Sequence, residues 1–140
     1  MNISILYGGT STEHKISIQT GLAIAEAIKS RHNLDLINLE LEIYNASQLL
    51  LDSDLVFNAL HGGDGENGNI QSFLDLHHIQ YTGSGAKSCK IAMDKNITKL
   101  IAKSIKIQTP KWILLKRNQH TGMQLHDNLS PKFSYPYVVK

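Results

Sequence analysis

Cysteine is nearly absent from this sequence. Cys89 stands alone among 140 residues, so no disulfide can form within the chain and a reducing compartment is expected. The opening Met1-Asn2-Ile3-Ser4-Ile5-Leu6-Tyr7 carries no basic residue, and its apolar stretch is short and interrupted. It does not read as a signal peptide. No apolar run approaches the ~20 residues that a membrane helix needs. Charge of one sign is scarce too. Lys plus Arg is 14 against 12 Asp plus Glu, a formal +2, which gives no argument for nucleic acid. The basic residues are dispersed except for a loose cluster over residues 87–106, suited equally to an anionic small molecule or to solubility. There is no internal repeat and no low-complexity tract. A cytoplasmic protein without membrane or nucleic-acid partners is the expectation.

The hydrophobic fraction of 41% and charged fraction of 19% supply a core and argue against disorder. The length suits one domain, or one domain and the start of another. Residues 3–7 read as a β-strand ended by Gly8-Gly9. From Ile16 the apolar spacing turns helical, and Ile16, Leu22, Ala23, Ala27 and Ile28 are placed on one broad buried face. Residues 34–39 alternate as a second strand, 46–51 suggest a short helix, and the nearly continuous apolar run 55–60 reads as a strand covered on both faces. A glycine-rich stretch, 61–68, precedes helical spacing at Ile70, Phe73, Leu74 and His77. Residues 79–82 read as a fourth strand, and 86–93 and 95–103 as helices. This alternation predicts an α/β fold, a three-layer parallel sheet of Rossmann-like kind. A boundary is placed at Asp94 and Lys95, giving units 1–94 and 95–140. In the second unit, 112–115 and 137–139 read as strands. They are expected to be mobile or to lean on the α/β unit or a second chain.

Three glycine-bearing loops fall at strand ends: Gly8-Gly9, residues 61–68, and Gly83-Ser84-Gly85. Each leads into a helix, where exposed N–H groups attract anions. A dinucleotide site is disfavoured, because Gly8-Gly9-Thr10-Ser11-Thr12-Glu13 lacks the G-x-G-x-x-G spacing. Glu13 would also repel a pyrophosphate. An acid at this turn suits a ligand with a positive group, such as the ammonium of an amino acid.

Four motifs, in order along the chain, carry a more specific resemblance. The first is Gly8-Gly9-Thr10-Ser11-Thr12-Glu13-His14-Lys15-Ile16-Ser17, with Gly21 beyond. The second is Ala59-Leu60-His61-Gly62-Gly63-Asp64-Gly65-Glu66-Asn67-Gly68 with Ile70-Gln71. The third is Tyr81-Thr82-Gly83-Ser84, then Ala92-Met93-Asp94-Lys95 and Lys99. The fourth is Thr109-Pro110 and then Pro136-Tyr137-Val138-Val139-Lys140. Together they resemble the D-alanine–D-alanine ligases, ATP-dependent carboxylate–amine ligases that make the terminal dipeptide of peptidoglycan precursors. The fold implied is a pre-ATP-grasp α/β domain followed by the beginning of an ATP-grasp central domain.

The resemblance implies that Glu13 contacts the ammonium of the first D-alanine and that His61 lies near its carboxylate. Lys95 and Lys140 are implied to hold ATP phosphates, and Mg2+ is implied as a further cofactor. Phosphate passes to one D-alanine carboxylate, and the amine of the second attacks the acylphosphate. The magnesium ligands of the family have no counterpart here, so the chain alone is expected to lack ligase activity. A homodimer through the N-terminal domain is also implied.

Plainer roles stand beside these. Glu13 could cap the following helix, His61 could tie strand to loop, and the two lysines could be surface residues. Ser11 and Ser17 are read as turn and cap residues, and Cys89 as a core residue. His77, His78 and His120 are read as solvated or structural. Asn67 stands where the family usually has Asp, which suggests a loop-closing role. Two alternatives to the ligase remain: a non-catalytic α/β module binding an amino acid or a protein, and another ATP-grasp ligase with different substrates. The ligase reading requires Glu13 and His61 to border one cleft at the carboxyl rim of the sheet.

Overall fold

The computed structural model describes residues 1–40 and 46–115. Three parallel strands form the sheet in the order β2-β1-β3, with β1 (Asn2–Tyr7) between β2 (Asn33–Asn38) and β3 (Leu55–Asn58). Helix α1 (His14–Ile28) joins β1 to β2, and a short helix α2 (Ser47–Leu51) precedes β3. Beyond β3 come a 3-10 turn (Gly63–Gly65) and α3 (Asn69–Leu76), then α4 (Ala86–Met93) and α5 (Lys95–Ser104).

Alternation along the central strand explains the layers. Ile3 and Ile5 face α1 and pack in one core with Ala25, Ala59 and the half-buried Ile24, Ile28 and Phe57. Leu6 points the other way, into a larger core with Leu50, Val56, Ile70, Leu74 and Ile79. Successive side chains of a strand take opposite faces, so a sheet covered on both sides needs apolar residues at every position. The runs 3–7 and 55–60 meet that need except at Ser4, whose hydroxyl bonds Ser53, and Asn58, whose amide bonds Gly65 O.

The buried face of α1 differs from the one expected. Ser17, Gly21 and Ala25 are its buried residues, while Ile16 and Leu22 are 52% and 51% exposed. Close approach is the reason. A Cβ on Gly21 would lie 2.5 Å from the Cβ of Tyr7, so this stripe of small residues lets the helix sit directly on β1, with Ile24 and Ile28 half-buried beside it and Ile16 and Leu22 turned outward.

The fourth strand is also shorter than expected. Residues 79–82 contribute a single parallel bridge, Val56 to Tyr81, held by Val56 N to Gln80 O and Thr82 N to Val56 O. The ladder stops there because the next donor, Asn58 N, bonds the Thr82 side-chain Oγ1 at 3.1 Å, and Gly83 turns away at φ +101°.

Asp94 begins α5 by accepting a hydrogen bond from Ile97 N at 2.9 Å, a side-chain cap. Neither α4 nor α5 has a buried residue. No strand forms over residues 112–115. Instead Trp112 Nε1 donates to Asn96 Oδ1 at 3.0 Å, Lys99 Nζ donates to Pro110 O at 3.0 Å, and the same ammonium stands 5.3 Å from the Trp112 ring centre. This stretch leans on α5 by polar and cation–π contacts. Residues 137–139, the other expected strand, lie outside the described residues.

Candidate functional site

The carboxyl ends of β1 and β3 deliver two glycine turns to one edge of the sheet. Between them opens a cleft of about 470 Å³, bordered by Gly8, Gly9 and Ser11 from the first turn, by Leu60, His61, Gly62, Asp64 and Gly65 from the second, and by Asn69 and Phe73 from α3. Ligands of open parallel sheets bind at this edge.

Serine side chains fasten the two turns together. Ser17 is fully buried; its Oγ accepts from Gly8 N and donates to Ala59 O, both at 2.8 Å. Ser11 Oγ donates to His61 O and accepts from Glu13 N at 3.1 Å. Gly62 and Gly63 take φ of +66° and +48°, a region that penalises a side chain.

Glu13 holds the N-cap position of α1, yet its carboxylate makes no capping hydrogen bond. Backbone does that work, with Glu13 O accepting from Ile16 N and Ser17 N. The carboxylate lies instead against Gly62, where an added Cβ would stand 2.7 Å from Glu13 Oε2. His61 is half-buried, and its Nε2 lies 3.1 Å from Thr20 Oγ1. The imidazole is thus fixed to α1 as well as to its own turn. The structure brings Glu13 to the turn that bears His61. His61 lines the cleft directly; Glu13 stands at its margin, outside the lining itself.

The second turn is held from two sides. Asn67 Nδ2 and Asn69 Nδ2 donate to Asp64 Oδ1 at 2.9 and 2.7 Å, and Asn69 N donates to Asn67 Oδ1 at 2.9 Å. Beneath it, Asn58 Nδ2 and Gln71 Nε2 both donate to Gly65 O.

A family model described as D-ala D-ala ligase N-terminus matches residues 38–84. The D-alanine–D-alanine ligase of Coprothermobacter proteolyticus is 38% identical over 141 residues, an alignment covering all of this chain and 46% of that protein. That of Aquifex aeolicus is 40% identical and is likewise matched over 46% of its length by the whole chain. The crystal structure of a D-alanine–D-alanine ligase from Bacillus anthracis complexed with ATP superposes with a TM-score of 0.80 at 35% identity, over 91% of this chain and 42% of that one. This chain is similar to the N-terminal part of the D-alanine–D-alanine ligases. It spans under half the length of these relatives.

Lys95 is not among the residues that border the cleft. Lys95 opens α5, exposed, with Nζ donating to Ala92 O at 3.0 Å. Lys140 lies outside the described residues, as does His120. Cys89 is not a core residue: it is half-buried on a helix without buried positions, its Sγ 3.3 Å from Ser84 O. His77 and His78 are exposed. Asn67 closes its loop, as its missing charge suggests. Among the described residues, no group of three or more His, Cys, Asp or Glu side chains could hold a metal ion. No helix there is long and apolar enough to cross a membrane.

Several side chains that build the site escaped the sequence reading. Thr20, Asn58 and Gln71 act through partners 41, 7 and 6 residues away. Nothing in periodicity marks them, although Thr20 and Gln71 flank or end the family-like motifs.

Proposed function

We propose that this chain supplies the first-substrate half of a cytoplasmic D-alanine–D-alanine ligase. The observation that carries the reading is the meeting of two turns: the Glu13 carboxylate rests on Gly62, the residue that follows His61 in the cleft lining. In this reading Glu13 receives the ammonium of D-alanine, and the edge formed by His61 and the glycine turn receives its carboxylate. A carboxylate offers an ammonium a charge-assisted hydrogen bond. Glu13 has no internal cap to break first.

ATP, when bound, supplies the phosphate that activates the substrate carboxylate. Lys95 is the described residue assigned to its phosphates. The Lys95 ammonium carries three donors and uses one on Ala92 O, which leaves capacity for an anion. Lys140 is assigned the same role by motif alone. The described residues offer no metal cluster, so no magnesium-dependent step is derived from them. We further assign residues 1–94 to the substrate-binding domain, 95–140 to the start of the central domain, and a homodimeric state through the first.

Isothermal titration of the chain with D-alanine tests the reading. Saturable binding is expected, weakened about ten- to hundred-fold in E13Q and weakened in H61A. Equal binding of D-alanine by wild type and E13Q would refute the assignment.

A further inference from the structure

Gly65 receives two side-chain amides on one carbonyl oxygen. Asn58 Nδ2, at the end of β3, donates at 2.9 Å, and Gln71 Nε2, from α3, donates at 2.7 Å. A carbonyl oxygen has two lone pairs, and both are engaged. Gln71 is 3% exposed, and its Oε1 is buried without a partner. An unpaired buried acceptor is costly. A methionine would fill similar space without that cost, so packing alone does not account for glutamine here. Turning the amide over would set Oε1 against Gly65 O, acceptor facing acceptor. The bond to Gly65 is therefore what the side chain contributes.

Gly65 sits where nothing larger fits, against Leu60. Its N–H donates to Gly62 O at 3.2 Å, and Gly62 in turn backs onto the Glu13 carboxylate. A displacement of the Gly65 carbonyl passes through one hydrogen bond to the residue between Glu13 and His61. Asn58 is also tied down, its Oδ1 accepting from Leu60 N at 3.2 Å. The clamp thus reaches the turn from a strand and a helix at once.

We propose that Asn58 and Gln71 are positioning residues that set the conformation of the 61–65 turn, and through it the spacing of His61 and Glu13 around an amino-acid substrate. The substrate part rests on the D-alanine reading above; the conformational part does not. The test uses the chain with Q71M and N58D, each compared with wild type by amide NMR without ligand and by D-alanine titration. N58D keeps the acceptor for Leu60 N but sets a carboxylate oxygen against Gly65 O. I3V, a buried change in the other core, controls for lost stability.

Both variants are expected to shift the amide resonances of Gly62, Gly63 and Gly65. They are expected to weaken D-alanine about three- to ten-fold, the range one hydrogen bond spans, while I3V leaves affinity unchanged. Folded variants with wild-type glycine amides and wild-type affinity overturn the inference, as does an equal loss of affinity in I3V. If wild type binds no D-alanine, the functional reading fails by itself. The glycine amides then decide the positioning role, shifted supporting it and unshifted overturning it. Should Q71M not fold, N58D at its half-buried position carries the same comparison.

Discussion

Gly21 occupies mid-helix, where alanine is ordinarily favoured by about 1 kcal/mol. A methyl there would stand 2.5 Å from Tyr7 Cβ, closer than packed carbons tolerate. Gly21→Ala is therefore expected to destabilise the chain by about 1–3 kcal/mol, read as a lower urea midpoint. A rise in midpoint would show that α1 can lift off β1 at little cost. Glu13 is the opposite kind of residue, exposed and with no side-chain capping bond to its helix. Glu13→Gln should leave the urea midpoint unchanged while weakening D-alanine about ten- to hundred-fold, the scale of a charge-assisted hydrogen bond. Tyr81 responds to pH. Partial burial holds its phenol above the ordinary value, reinforced by its 2.8 Å hydrogen bond to the Asp75 carboxylate. A raised folded-state value means that its contribution is complete below the unfolded tyrosine value of about 10 and is lost as pH rises through the folded value. Tyr81→Phe should therefore flatten the alkaline decline in unfolding temperature; an identical decline in both proteins would contradict this.

Among the elements, α3 and α1 show which parts of the sequence were readable. In α3, Ile70 and Leu74 follow helical spacing, and both are buried. In α1 the same rule selected Ile16 and Leu22, which are exposed, because the buried line of the helix is a serine, a glycine and an alanine, with Ile24 and Ile28 only half-buried beside it. Hydropathy patterns locate buried bulk; they do not register a helix chosen for closeness. Leu74→Ala is expected to cost about 2–5 kcal/mol, the range for a buried leucine. Leu22→Ala should stay within about 0.5 kcal/mol. Equal losses in denaturant titrations would contradict the observed orientation of α1. The fourth strand was misjudged for a related reason, since its ladder ends when a threonine hydroxyl takes the backbone donor of Asn58. Side-chain competition of that sort is decided in three dimensions.

At the scale of the molecule, two chain segments about 50 residues apart had to meet, and the hydrogen bond from Ser11 to His61 records that meeting. The alternation of strands and helices made a parallel sheet legible, and the carboxyl edge of such a sheet made the cleft's location legible. The ties themselves, Thr20 to His61 and the two amides on Gly65, were not, because each depends on where distant backbone arrives. The chain matches 46% of a full-length relative. On this account it binds the first substrate and does not complete the reaction alone. A coupled assay with D-alanine, ATP and magnesium should show phosphate release at the blank rate; turnover above blank would show that more of the machinery resides here than is assigned.

The most direct measurement is a crystal structure of this chain grown with D-alanine. The ammonium is expected within hydrogen-bonding distance of the Glu13 carboxylate, with the substrate carboxylate beside His61 and the glycine turn. D-alanine seated elsewhere on the molecule, with Glu13 still facing solvent, would contradict the account.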